Sequence, residues 1–196
     1  MIGLLSEGFE SAWLPCSLIL LLAGLAVTLA AQEELLVAVI AFSSSTTFVA
    51  WLRFSDRGGD WPMIVAAVAL VLATVLFLVP TVDGRDAVVA VGGALTGGAA
   101  AQLWEPCVGR AFGQLLNELP GRGPLGALAL LAYMIGVLAP VIGFAALLKL
   151  TPDWIIEPTR SALAVLGGTV LAVMAVVTAV GLHDEVVGRL IQWSLT

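Results

Sequence analysis

Trp104-Glu105-Pro106-Cys107-Val108-Gly109-Arg110 lies inside a long apolar segment and is echoed near the start of the chain by Trp13-Leu14-Pro15-Cys16. These stretches hold the only two cysteines of the 196 residues, and each cysteine directly follows a proline. Proline removes a backbone donor and disrupts the preceding helical turn. A thiol just after such a break can sit at the positive end of the helix that resumes, where a thiolate is favoured. Two thiols placed this way within hydrophobic windows point to a redox pair, provided the rest of the chain brings them together.

The chain is 60% hydrophobic and only 11% charged, with a formal net charge of -6. Soluble domains carry about 25% charged residues, so this composition defines an integral membrane protein with little chain outside the bilayer. The eight lysines and arginines form no basic patch, which argues against nucleic-acid binding. The first 52 residues contain neither Lys nor Arg, so the first apolar run is expected to be a retained span and not a cleaved signal. Without a CxxC there is no self-contained thioredoxin-type site. The single histidine, His183, stands beside Asp184 and Glu185 with no second histidine nearby, and a metal site is not expected there.

Six windows reach or approach the roughly 20 apolar residues of a spanning helix. They run from about Ile2 to Ala30, Leu35 to Phe54, Pro62 to Val79, Ala87 to Leu119, Leu125 to Leu148 and Ser161 to Leu182, with short polar connectors between them. The first and fourth are too long for a straight crossing. At 1.5 Å per residue the fourth would extend roughly 50 Å, against about 30 Å of hydrocarbon. A helix broken at each Pro-Cys step resolves the conflict. Each cysteine-bearing window is followed by two further spans. The expected fold is therefore an all-α polytopic membrane protein of six transmembrane helices in a single domain over residues 1–196. It divides into repeat 1 at about 1–82, an inverted repeat 2 at about 83–183 and a tail at 184–196. Inverted repeats with discontinuous helices are a common transporter plan.

Several side chains near the cysteines are candidates for supporting roles. Arg110 follows Cys107 by three residues, so on a helix both share a face, where a cation favours the thiolate. It also has the alternatives of snorkelling to an interface or pairing with Glu105 or Gln114. Glu105 is an intramembrane carboxylate with two readings, proton shuttle or ion-pair partner. Glu7 and Glu10 precede Cys16 nearer the interface. The run Ser43-Ser44-Ser45-Thr46-Thr47 makes the second window unusually polar; its readings are close helix packing or a hydrated path. Gly92-Gly93 and Gly97-Gly98 permit close helix approach, and Pro140 predicts a kink in the fifth span.

With these motifs in place, the chain resembles the CcdA family of membrane electron carriers, related to the transmembrane part of DsbD. That family is recognised by a Pro-Cys in the first helix and a Trp-Thr-Pro-Cys-x-Gly in the fourth. Here these read Leu14-Pro15-Cys16 and Trp104-Glu105-Pro106-Cys107-Val108-Gly109. The stretch Leu130-Leu131-Ala132-Tyr133-Met134-Ile135-Gly136, ahead of Pro140, is similar to the family's Leu-Ala-Tyr-x-x-Gly. Departures are Leu14 and Glu105 where the family has Ser or Thr, and Ile19 and Arg110 where it has proline.

The resemblance implies a cell-membrane thiol–disulfide carrier with both termini extracytoplasmic, although the Lys and Arg distribution does not fix orientation. Cys16 and Cys107 would form the reversible disulfide, supported by Pro15, Pro106, Glu105, Arg110, Gly109 and Trp104, with no cofactor or metal. Cytoplasmic thioredoxin would be the electron donor. An extracytoplasmic thioredoxin-like protein or an apocytochrome in cytochrome c maturation would be the acceptor. The competing reading is a soft-metal transporter that uses the two thiolates. Such a route usually adds Met or His ligands, and here only Met134 and Met174 fall clearly within spans.

Overall fold

The computed structural model describes residues 2–31, 34–54, 63–78, 85–104, 124–152, 157–182, 185–186, 188–189 and 192. Every regular element among them is helical. The first window divides into α1 (Ile2–Ala12), a 3₁₀ turn (Pro15–Ser17) and α2 (Leu18–Ala30). Then follow α3 (Leu35–Phe54), α4 (Met63–Leu78), α5 (Arg85–Leu103), α6 (Pro124–Leu150), a second 3₁₀ turn (Glu157–Thr159) and α7 (Arg160–Ala179).

Among the described residues, four segments are long and apolar enough to cross a bilayer: Leu35–Phe54, Arg85–Leu103, Leu125–Leu150 and Glu157–Ala179. The apolar helices α2 and α4 are shorter, α2 because the break at Pro15 divides its window. Large apolar side chains cover the outside, among them Ile40, Val71, Val173 and Val176, all exposed. In water such a surface would be a liability; against lipid it is the expected finish. The protein is a helical membrane protein.

Packing pairs α3 with α5, α1 with α6 and α4 with both α5 and α7. The short α2 lies among α7, α5, α6 and α3. Lipid removes the hydrophobic drive between helices, so association depends on close backbone approach and interhelical hydrogen bonds. At α1–α6, Gly8 faces the Tyr133 carbonyl and Gly136 faces the Leu5 carbonyl, leaving no room for a Cβ at either place. At α3–α5, Gly93 lies against Ala38 and Gly97 against Phe42, so these helices run in the same direction and α4 recrosses between them.

Side-chain hydroxyls join the same α3–α5 seam. Ser45 Oγ donates to the Ala94 carbonyl at 2.7 Å, and Thr46 Oγ1 lies 2.7 Å from the Phe42 carbonyl and 3.2 Å from the Gly97 carbonyl. Of the two readings for this run, the geometry of Ser45 and Thr46 is that of helix packing. Thr47 bonds back to the Ser43 carbonyl. Ser43, Ser44 and Thr47 border an open groove of about 720 Å³ between α3 and α6 whose walls are otherwise apolar. Helix α6 continues across Pro140, the position where the sequence predicts a kink.

Candidate functional site

The break in the first window follows from proline chemistry. Leu14 precedes Pro15 and is extended, with φ -78 and ψ 148, as steric contact with the ring requires. A continuous helix would satisfy the Ser11 carbonyl with the amide of residue 15, which proline lacks. The chain tightens instead: Leu14 N donates to Ser11 O at 3.2 Å, Trp13 N to Glu10 O at 3.3 Å and Ser17 N to Leu14 O at 2.9 Å. Cys16 occupies the middle of this 3₁₀ turn, immediately before α2 begins at Leu18. Its backbone is placed there, while its side chain lies outside the described part.

At the second Pro-Cys step the described residues end at Trp104. Helix α5 ends at Leu103, three residues before Pro106, just as α1 ends at Ala12, three residues before Pro15. Gln102 stands four residues before Pro106 and loses its helical donor in the same way as Ser11. A donor to it comes from another helix. Arg53, in the last turn of α3, directs Nη1 to the Gln102 carbonyl at 2.9 Å and the Trp104 carbonyl at 2.7 Å, with the Ala101 carbonyl at 3.4 Å. A guanidinium at a helix C-terminus also meets the negative end of the helix dipole. The cation lies 5.7 Å from the centroid of the Phe54 ring, and Phe54 meets Trp104 edge-on at 5.9 Å.

Trp104 joins the two cysteine-bearing stretches. Its ring is fully buried, and Nε1 donates to Ser17 Oγ at 3.3 Å. Ser17 is the N-cap residue of α2, yet its hydroxyl makes no capping bond to the helix. A serine here ordinarily accepts from the first-turn amides, so its hydroxyl oxygen accepts a bond from across the fold in place of a local one. Trp13, two residues before Pro15 as Trp104 is before Pro106, is 65% exposed and contacts Phe9 edge-on at 6.1 Å.

A second polar cluster braces α1. The buried Tyr133 hydroxyl donates to Ser11 Oγ at 2.8 Å, which itself donates to the Glu7 carbonyl at 2.8 Å. Ser11 thus ties the end of α1 to α6 immediately before the Pro15 break. Tyr133→Phe keeps the ring and removes one buried hydrogen bond, worth about 1 kcal/mol. It should lower the thermal midpoint in detergent by about 2–4 °C for a chain of this size.

Of the residues singled out from the sequence, the structure places Trp104, Pro15 and the Cys16 backbone at one locus. Glu105, Pro106, Cys107, Gly109, Arg110 and His183 lie outside the described residues. Among the described residues no group of three or more His, Cys, Asp or Glu is positioned to hold a metal ion. Met134 is buried in the core, and Met174 packs against it. Sequence reasoning did not single out Ser17, Ser11, Phe54 or the role of Arg53. The missing Pro106 amide is the signal that could have prompted a search for a replacement donor. No protein-family model, curated protein or solved structure matches this chain.

Proposed function

We propose that this protein is a membrane thiol–disulfide electron carrier in which Cys16 and Cys107 form a reversible disulfide. The observation that carries the reading is the Trp104 to Ser17 hydrogen bond, which draws together the residue after Cys16 and a residue three before Cys107. Each cysteine follows a proline, and both preceding helices end at the same distance from it.

The chemistry is two successive exchanges. A thiolate of a reduced donor, thioredoxin on the cytoplasmic side, attacks one sulfur of the Cys16–Cys107 disulfide. The other cysteine leaves as a thiolate and takes a proton. The donor's second thiolate then attacks its own sulfur in the mixed disulfide and releases the first cysteine, which is protonated in turn. The donor departs oxidised, with two electrons and two protons transferred to the cysteine pair. The same exchanges against an extracytoplasmic thioredoxin-like protein or apocytochrome restore the starting disulfide. Cys16 stands just before the N-terminus of α2, where the helix favours the thiolate that each exchange needs.

The architecture proposed for this work is six spans in two inverted repeats within the cell membrane, with both termini extracytoplasmic. Helix pairing supports the repeat. Taken as whole windows, exchanging the first three for the last three turns the first–fifth contact (α1–α6) into the fourth–second (α5–α3) and the first–sixth (α2–α7) into the fourth–third (α5–α4), while the third–sixth (α4–α7), first–fourth (α2–α5) and second–fifth (α3–α6) contacts map onto themselves.

The test is trapping of an intermediate. Single-cysteine variants, Cys16→Ser and Cys107→Ser, are incubated with a thioredoxin that lacks its resolving cysteine and carries an activated disulfide. One variant should accumulate a mixed disulfide that reducing agent dissolves. Failure of both variants to form it, with both thiols still alkylatable in denaturant, removes the carrier reading.

A further inference from the structure

We infer that the groove between α3 and α6 binds a membrane quinone, a ligand assignment that does not depend on the carrier reading. The groove opens sideways to lipid: Phe48, Leu128, Leu131 and Ile135, which line it, are exposed. Its volume of about 720 Å³ falls in the range of small-molecule sites. Hydroxyls are unusual on such a wall, and here they are not all spent within the helix. Thr47, Thr74, Thr96 and Thr178 each bond back to the carbonyl four residues earlier. Ser43 Oγ does not; it is buried and has no hydrogen-bond partner among the described residues. Ser44, beside it, is exposed on the groove. A hydroxyl left unbonded in hydrocarbon is costly, so this wall favours a ligand that brings an acceptor.

Depth, charge and shape select the ligand. The centre of α3 falls between Ser44 and Ser45, so at 1.5 Å per residue Ser43 and Ser44 lie within about 3 Å of it along the axis. Phospholipid headgroups and ester groups stay near the bilayer surface, about 15 Å from the midplane, and do not reach that depth. None of the described lining residues carries a charge, so an ionic headgroup would have no counter-ion there. Phe48 and Trp51 each stand four residues beyond a hydroxyl, at Ser44 and Thr47. Their ring centroids are 6.1 Å apart with planes inclined at 35°, an aromatic wall for a flat ring. Across from them, Leu131, Ile135 and Leu138 make an aliphatic wall, and the α6 lining extends from Ala127 to Ile142, about 22 Å. A quinone matches each property: an uncharged planar ring, carbonyl oxygens that accept hydrogen bonds, and a hydrocarbon tail that stays within the membrane core. Ser44 meets a ring carbonyl directly, and Ser43 by a change of rotamer. A second transmembrane helix fits less well. Helices associate closely in lipid through small residues, whereas large side chains stand at the mouth of this groove.

The experiment is photo-crosslinking of the purified full chain in detergent with an azido derivative of a short-tailed ubiquinone, the labelled sites being mapped by mass spectrometry. Label should saturate and fall on residues 43–51 of α3 and 127–142 of α6. Unlabelled ubiquinone should compete, and a short-chain phosphatidylcholine should not. The double variant Ser43→Ala, Ser44→Ala should need about fivefold more quinone for half-saturation, the loss expected for hydrogen bonds from neutral hydroxyls. Ile135→Trp, which fills the groove from an exposed position, should lose the label. Circular dichroism checks folding, and the competition on the wild-type chain decides the matter if neither variant folds. Label that does not saturate or lies elsewhere overturns the inference, as does equal competition by the phospholipid. A folded double-serine variant within twofold of wild type overturns it too. So does a wild-type dimer that Ile135→Trp dissociates, since the groove would then be the seat of a second copy.

Discussion

Cys16→Ser or Cys107→Ser should reduce the transfer of reducing equivalents across sealed proteoliposomes to the rate of protein-free vesicles. In the proposed carrier the loss is complete because the two sulfurs would act as one unit: a lone thiol can be captured in a mixed disulfide but cannot resolve it. Water-soluble partners cannot enter hydrocarbon, so the pair must also open to each face in turn. The reduced wild-type protein should accordingly react with a small membrane-impermeant thiol reagent added to either side, and labelling should vanish once the disulfide forms. Transfer retained by either serine variant would place the chemistry elsewhere. Labelling from one side only, across redox conditions and with partner present, would leave a one-sided site that cannot carry electrons through the membrane.

The second large effect is steric. Gly136→Ala and Gly143→Ala lie seven residues apart on α6 and should shift stability in opposite directions. A Cβ at Gly136 meets the Leu5 carbonyl, with the Phe9 nitrogen at 2.8 Å and the Gly8 carbonyl carbon at 3.0 Å. All three are backbone atoms, so relief requires α1 to separate from α6. The expected cost is about 1–3 kcal/mol, with the Tyr133–Ser11 bond lost as well. Nothing lies within 4 Å of a Cβ at Gly143, and alanine there should stabilise by up to about 1 kcal/mol through helix propensity alone. Unfolding in detergent measures both. Equal shifts at the two positions would mean that α1 is not seated on α6 in this way.

What the sequence disclosed of this fold follows from how local each cause is. Proline acts on its own turn, so the division of the first window at Pro15 could be expected from Leu14-Pro15-Cys16 and the length of the window. The clustered hydroxyls of α3 and the paired glycines of α5 were each legible as packing elements. That Thr46 and Gly97 meet was not, because the register between two helices is a tertiary property. Arg53 shows the limit most plainly. In the sequence it is a charge beside a polar connector, indistinguishable from Arg57; its partners at Gln102 and Trp104 appear only once α3 runs alongside α5 in the same direction. Ser17 reads as an ordinary helix cap, and its use by Trp104 is equally non-local. The part of the site most visible in the sequence, residues 105–110, falls outside the described structure.

Trp13 and Trp104 stand at equal distances from their cysteines, one largely exposed and the other wholly buried. A perfectly symmetric inverted repeat would have two mirror arrangements of equal energy and would divide its time evenly between them. In the repeat proposed here that degeneracy is lifted. Arg53 ends α3 and grips α5, whereas Lys149, the cation in the last turn of α6, is exposed. Each 1.4 kcal/mol of such a difference is a tenfold bias in population. The carrier would therefore have a side on which it waits, and a partner on the far side must contribute binding energy before the site turns toward it.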